Sequence, residues 1–260
     1  MRTTPAGFLA KTLAVAEMEV RKLRHDPTEL LTRAVQPALW LLMFGQVFSR
    51  THLIPSGTLS YMDFLMPGIL AQSVLFVAIF NGISIIWERD LGIVHKFLVS
   101  PTPRTALVLG KSVSAGVRAI AQAALIYLLA FALGVHINWS PVALLGVLSF
   151  VLLGATLFST FSLIIACLVK TRERFMGIGQ VITMPLFFGS NAIYPTEIMP
   201  EWLRTIAHLN PLTYEVDGLR ALTVVGAHSA MGLAVDYAVL GAVLLVLVFI
   251  AGWVYPRIIS

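Results

Sequence analysis

Charge is scarce in this chain, and acidic charge scarcest. Asp, Glu, Lys and Arg together make 12% of its 260 residues, and only 13 side chains are acidic. None of these acids is expected deep in a long apolar run, so the usual mark of proton or sodium coupling across a membrane is missing. Cysteine is nearly absent too. Cys167 stands alone in an apolar run, which excludes an intrachain disulfide and fits a small packing residue. The histidines, at 25, 52, 95, 136, 208 and 228, fall in loops or surface helices. With no His-Glu-x-x-His pattern, and no buried base near Ser190, an intramembrane hydrolase has little support. A complete nucleotide-binding loop is also missing. Leu109-Gly-Lys-Ser112 has only its tail, because Thr105 stands where the first glycine must be and no strand precedes it. ATP hydrolysis is therefore not expected here, nor any metal site. No repeat, low-complexity tract or cleavable leader is visible.

What the chain has is apolar surface. Hydrophobic residues make up 58% of it, far above a soluble domain. A span needs about 20 apolar residues to cross roughly 30 Å of hydrocarbon. Uncharged runs cover 64–87, 175–196 and 237–256, and 119–169 is long enough for two passes. That last run divides at 134–141, where Gly134, Asn138 and Pro141 favour a turn and Trp139 suits an interface. The first run, 34–49, is short and becomes adequate if Arg33 and Arg50 snorkel to opposite interfaces. Six spans follow. The polar segments around them carry 6, 1, 4, 0, 3, 2 and 1 basic residues in order, with Arg118 inside the third span. Basic residues favour the cytoplasmic side, so both termini are expected there, in the inner (plasma) membrane. The net charge of +5 then reflects topology rather than a nucleic-acid partner.

Three polar segments look structured. Leu9, Leu13, Ala16, Val20 and Leu23 form one helical stripe, so residues 1–27 read as an amphipathic helix on the inner interface, with 28–260 the six-helix part of one domain. From Glu88 to Pro101 an inner segment longer than a connector needs keeps Leu91, Val94 and Leu98 in helical register until Pro101 stops it. On the outer side Trp202, Ile206 and Leu209 form one stripe. After Asn210 as N-cap and Pro211 at the first helical position, Leu212, Val216, Leu219 and Leu222 form another. Both helices are too short to span and read as re-entrant elements. Arg118 has snorkelling as its plainer role, with pairing to Glu88 or Asp90 as the alternative. Inside, Gln72 shares a face with Phe76. Trp40, Phe44 and Gln46 line the first span, and Phe187 and Asn191 the fifth. Aromatics with isolated amides suit a large amphiphile, though each could equally serve helix packing.

Tyr61-Met-Asp-Phe-Leu-Met-Pro-Gly-Ile-Leu70, Trp87-Glu-Arg-Asp-Leu-Gly92, Leu98-Val-Ser-Pro101, Leu109-Gly-Lys111, and Asn210-Pro-Leu-Thr-Tyr214 with Asp217-Gly-Leu-Arg220 together carry a family likeness. In their order and spacing the chain resembles the permease subunits of type-2 ABC exporters, especially the branch that exports drugs, antibiotics and lipid-like natural products. The resemblance implies an all-α membrane protein working as a homodimer, or with a related permease, above two copies of a separate ATPase that binds ATP and Mg. It also implies that Glu88, Arg89, Asp90, Leu91, Gly92 and Pro101 belong to a coupling helix against that ATPase, and the N-terminal helix to a second contact. Trp40, Phe44, Gln46, Gln72, Phe76, Phe187 and Asn191 are the candidate substrate pathway among membrane lipid. Trp202, Asn210, Pro211 and Tyr214 are the candidate outer gate. A passive channel or an ion-coupled carrier is the alternative.

Overall fold

The computed structural model describes residues 28–51, 59–91, 104–169 and 171–255, and all of its named elements are helical. The interface helix expected at 1–27 and the stretch from Gly92 to Pro101 lie outside these residues. In chain order α1 (Thr28–Leu39) passes through a π-helical stretch, Trp40–Gly45, into α2 (Gln46–Thr51). Then come α3 (Tyr61–Asp90), α4 (Arg104–Ala132), α5 (Pro141–Leu168), α6 (Arg172–Phe188), α7 (Glu201–Leu209), α8 (Pro211–Thr223) and α9 (Leu233–Val254).

Four helical stretches are long and apolar enough to cross a bilayer: Tyr61–Trp87, Ala115–Ala132, Pro141–Leu168 and Leu233–Val254. The other two expected spans are shorter as helices. The first has an apolar core of Val35–Phe48. The fifth departs from the sequence reading, because the uncharged run 175–196 is not one helix: α6 stops at Phe188 and residues 189–193 turn back while still buried. Pro185 and Gly189 account for the stop, one removing a backbone donor and the other sitting as C-cap.

The division of 119–169 falls where turn chemistry puts it. Helix α4 ends at Ala132, Gly134 takes a positive φ of 78°, and Pro141 opens α5. This loop is stitched to the end of α8: the Asn138 N–H donates to the Thr223 carbonyl at 2.8 Å, and the Val225 N–H to the His136 carbonyl at 3.0 Å.

Helix α5 is the hub, packing on α3, α4, α8 and α9. Helix α3 is the most enclosed span, with 78% of its apolar window buried, whereas α9 has 11% and turns Leu245, Phe249 and Trp253 outward. Polar groups between spans are paired locally. Asn81 Nδ2 donates to Ser159 Oγ at 3.2 Å, Thr160 Oγ1 donates to Ser112 Oγ at 3.0 Å, and the Ser162 hydroxyl donates to the Ile79 carbonyl.

At Gly68 the chain approaches another stretch of backbone directly. A Cβ there would overlap the backbone of Ala192, which cannot swing away as a side chain can. Replacing a helix-interior Gly by Ala normally gains about 1 kcal/mol. At Gly68 overpacking should cost about 1–3 kcal/mol and reverse the sign. Gly68→Ala is therefore expected to lower the thermal midpoint of the purified protein. Gly241→Ala in α9, where no atom lies within 4 Å of the new methyl, should leave it unchanged or higher.

Candidate functional site

Three groups of side chains are candidates for a site: a polar lattice around α8, an aromatic cluster, and a polar cavity reaching one helix end.

The polar lattice begins at α8. Asn210 caps it, accepting from the Leu212 N–H at 3.0 Å, while Asn210 Nδ2 donates to the Leu186 carbonyl of α6 at 2.7 Å. The stripe Leu212, Val216 and Leu219 is fully buried. Arg220 is buried on the same helix. It donates to the Asn191 carbonyl at 2.7 Å and the Phe64 carbonyl at 3.4 Å, and lies 3.9 Å over the Phe64 ring. Burial lowers its pKa to about 10, while the negative charges of Asp217 and Glu197 work the other way. At neutral pH it stays a cation. The Tyr61 hydroxyl donates to the Ile193 carbonyl at 3.1 Å, so the turn after α6 has two of its carbonyls satisfied by side chains.

The acids of this region are clamps. Asp63 accepts from the His136 N–H at 2.9 Å and lies 3.0 Å from His136 Nδ1. Asp217 accepts from the N–H groups of Ala230 and Met231 and from Ser229, which also bonds Asp236. Glu215 differs. It is fully buried against Gly154 of α5, and neither carboxyl oxygen has a hydrogen-bond partner. No apolar run announces this position, because Glu215 is enclosed by helices far away in sequence.

The other outer helix is less enclosed. Of α7 only Ala207 is buried, and the predicted stripe faces outward, with Trp202 65% and Leu209 80% exposed. Pro211 opens α8, and the Tyr214 hydroxyl donates to the His208 carbonyl at 2.9 Å, tying α8 back to α7.

The aromatic cluster joins the first and fifth apolar runs. The Trp40 ring stacks on Phe44 at 4.5 Å and meets Phe187 edge-on at 5.6 Å. Phe44 is partly exposed, Gln46 is exposed, and Phe187 is fully buried. Asn191 is also buried, and its side-chain oxygen has no partner. Of the candidate pathway residues, Trp40 thus touches both Phe44 and Phe187, while Gln72 and Phe76 belong elsewhere.

They line a cavity of about 660 Å³ between α1, α3 and α4. Gln36 and Pro37 come from α1, Gln72, Phe76, Phe80 and Trp87 from α3, and Arg118 and Gln122 from α4. Gln72 and Gln122 are almost wholly buried, and all four of their amide atoms lack partners among the described residues. Each orphaned group costs about 1–3 kcal/mol. Gln122 was not anticipated from the sequence. Its signal was its place in an uncharged run, one helical turn after Arg118.

Beyond the cavity, α3 ends in a charged junction. Asp90 accepts from Arg172 of α6 at 2.9 Å and from its neighbour Arg89 at 3.2 Å, while Arg89 Nη1 donates to the Val169 carbonyl at 3.0 Å. Arg172 also lies 3.8 Å over the Trp87 ring at the cavity edge. Desolvation would raise the Asp90 pKa, but the hydrogen bonds and charges of Arg172 and Arg89 outweigh it and bring it below the ordinary value. Leu91 caps the helix and is exposed. Glu88 lies in its last turn, with a side chain outside the described residues.

Glu215 generates a pH prediction. Burial raises its carboxyl well above the ordinary value of 4.5. The folded state then keeps a proton that the unfolded chain releases above that value, so this group favours folding in acid and loses its contribution as pH rises through the folded pKa. Glu215→Gln should match the wild type near about pH 4 and exceed it in thermal stability near about pH 8. Unfolding curves across that range check it; a wild-type advantage at the alkaline end would mean a charged, paired carboxylate.

The chain matches the ABC-2 type transporter family over residues 10–224. A protein of Cyanophora paradoxa named as a transport permease, ycf38, is 28% identical over 219 residues, covering 83% of this chain and 74% of the relative. The daunorubicin resistance ABC transporter permease protein DrrB1 of Streptomyces coeruleorubidus is 23% identical over 221 residues, covering 85% and 77%. An Escherichia coli K12 protein named as a multidrug ABC transporter permease, YbhR, is 30% identical over 164 residues, covering 61% and 43%. Apolar helices of spanning length agree with that match, and the chain belongs to the ABC-2 type transporter family, as a membrane-embedded permease.

Proposed function

We propose that this chain is the permease of an ATP-driven exporter that moves an amphiphilic drug, lipid or glycolipid-like molecule out of the cytoplasm or inner leaflet. The observation that carries the reading is the family match over residues 10–224. The energy comes from a separate ATPase, two copies of which sit beneath two copies of this chain. Each copy crosses the membrane six times with both termini inside, α1 with α2 and α6 with its buried turn serving as the two shorter crossings. Helices α7 and α8 then lie on the outer side as re-entrant elements over the exit. Cargo passes the aromatic cluster of Trp40, Phe44 and Phe187, and the cavity beside Gln72 and Phe76 is open to it from the inner half. The drug-resistance names among the relatives agree with an amphiphilic cargo.

A second reading, an ion-coupled carrier, draws on one observation: the buried, unpartnered carboxyl of Glu215. Such a carrier transports without an ATPase, and Glu215→Gln would stop it. The exporter keeps its ATP dependence in that variant. Copurification of an ATPase subunit with the tagged permease, followed by ATP-driven export in proteoliposomes, tests the first reading. Transport driven by a proton gradient alone would overturn it.

On this reading the junction at the inner end of α3 receives the ATPase stroke. Replacing Glu88 and Asp90 together by Ala removes the acceptor that holds Arg172. The double variant should insert and assemble normally, hydrolyse ATP, and export several-fold less cargo per ATP. Unchanged export per ATP would remove this junction from the mechanism.

A further inference from the structure

We propose that the cavity between α1, α3 and α4 binds an uncharged planar amphiphile by a group that both donates and accepts hydrogen bonds, with Gln72 and Gln122 as its partners. Both side chains line that cavity, one from α3 and one from α4. Gln72 is 2% exposed and Gln122 1% exposed, and neither the oxygen nor the nitrogen of either amide has a hydrogen-bond partner. The two therefore do not bond each other. Other polar groups of the same wall are settled. Ser73 Oγ donates to the Ile69 carbonyl at 2.8 Å, and Ser84 Oγ to the Asn81 carbonyl at 2.6 Å. Arg118, one turn before Gln122, is likewise engaged within the protein. A buried amide that bonds nothing is uncommon. Two of them, from different helices and against one cavity, mark a place where a ligand supplies the bonds.

The orphaned atoms set the chemistry of the ligand. Two are carbonyl oxygens that accept, and two are NH2 groups that donate. A carboxylate only accepts and an ammonium only donates, so either would leave half of these atoms unmatched. A carboxamide, an alcohol or a carbonyl beside a hydroxyl matches both kinds and needs no buried charge. The preference for rings comes from α3. Gln72, Phe76 and Phe80 recur at four-residue intervals, so they share one face, about 6 Å apart along the axis. The Phe76 and Phe80 rings lie 5.9 Å apart and within 19° of parallel, an aromatic platform that starts one turn from Gln72. The cavity volume of about 660 Å³ falls within the roughly 300–1,000 Å³ of small-molecule sites. Because both amides are buried at the wall, a ligand meets them as they turn toward it. An unpartnered amide turns without giving up a hydrogen bond, which a paired one cannot do. This deepens the exporter reading by naming a class of cargo, and rests on that reading for the bound molecule being cargo.

The test uses the full chain purified in a neutral maltoside detergent, with empty micelles as the blank. Three fluorescent probes share one ring system: anthracene-2-carboxamide, 2-methylanthracene and anthracene-2-carboxylate. The wild type should bind the carboxamide about tenfold more tightly than either of the others. Gln72→Leu with Gln122→Leu should bring the carboxamide down to the affinity of 2-methylanthracene. The same pair should leave 2-methylanthracene binding unchanged or tighter, and the thermal midpoint unchanged or raised, since orphaned groups are removed. If that pair fails to fold, Gln72→Met and Gln122→Met, each close to glutamine in shape, should each weaken carboxamide binding several-fold. Phe76→Ala should weaken the carboxamide and 2-methylanthracene alike. Equal binding of the carboxamide and 2-methylanthracene by the wild type overturns the proposal, as does a preference for the carboxylate. So does a carboxamide preference that survives loss of both amides, because the amides then serve helix packing. Failure of ATPase copurification would sink the exporter reading and leave these binding results in place. Probe binding indifferent to the amides would sink this proposal and leave the exporter standing.

Discussion

A backbone that leaves helical geometry inside an apolar medium must find partners for its carbonyls within the protein. The backbone after α6 answers that constraint. After Phe188 the chain turns while still buried, and Arg220 and Tyr61 supply donors to Asn191 and Ile193. Arg220 can do this only because α8 is drawn into the bundle, and α8 is anchored there by the Asn210 cap to α6 and by its apolar stripe. Burying a guanidinium is costly, and bonds to two carbonyls with a ring beneath it offset the cost. Remove the cation and the turn loses its partner, then α6 its ending.

The same constraint separates the two halves of the molecule. Around α8 acids accept from loop N–H groups and the 134–140 loop is tied to the helix end, while the Glu215 carboxyl and the Asn191 side-chain oxygen stay unpartnered. Toward the other end of α3 the pairing is incomplete, and the orphaned amides of Gln72 and Gln122 face open space. Incomplete satisfaction is tolerable where something else can supply the missing bonds.

Much of this was legible in the sequence because the bilayer restricts the choices so strongly. The turn at 134–141, Pro141 at a helix start, and Asn210 with Pro211 at the junction of α7 and α8 all follow from local turn and cap chemistry. The helix–turn break in the fifth run did not, since an uncharged run reads alike whether it is one helix or a helix and a buried turn. The burial of Glu215 was hidden for a related reason. A carboxylate between short polar stretches looks exposed, and only contacts with α5 bury it. Within the candidate pathway, the contacts of Trp40 with Phe44 and with Phe187 join runs far apart in sequence, and Gln72 shares its cavity with Gln122, a residue that a single-helix view of α4 leaves anonymous.

Helix α3 links these regions mechanically. Its 30 residues span about 45 Å, from the Ser60 cap beside the outer lattice to Asp90 at the inner junction. Asp63, near one end, is clamped to the α4–α5 loop, and Asp90, at the other, to α6. A helix enclosed along most of its length and fixed at both ends moves as a rod. Helix α1 is the softer wall of the cavity, with Pro37 facing it and a π-helical stretch directly after. Both features weaken a helix's regular hydrogen bonding. If the proposed ATPase stroke arrives at Asp90 and Arg172, α3 and α6 shift together. The cavity then changes volume mainly where α1 yields, while the lattice around α8 keeps its pairs.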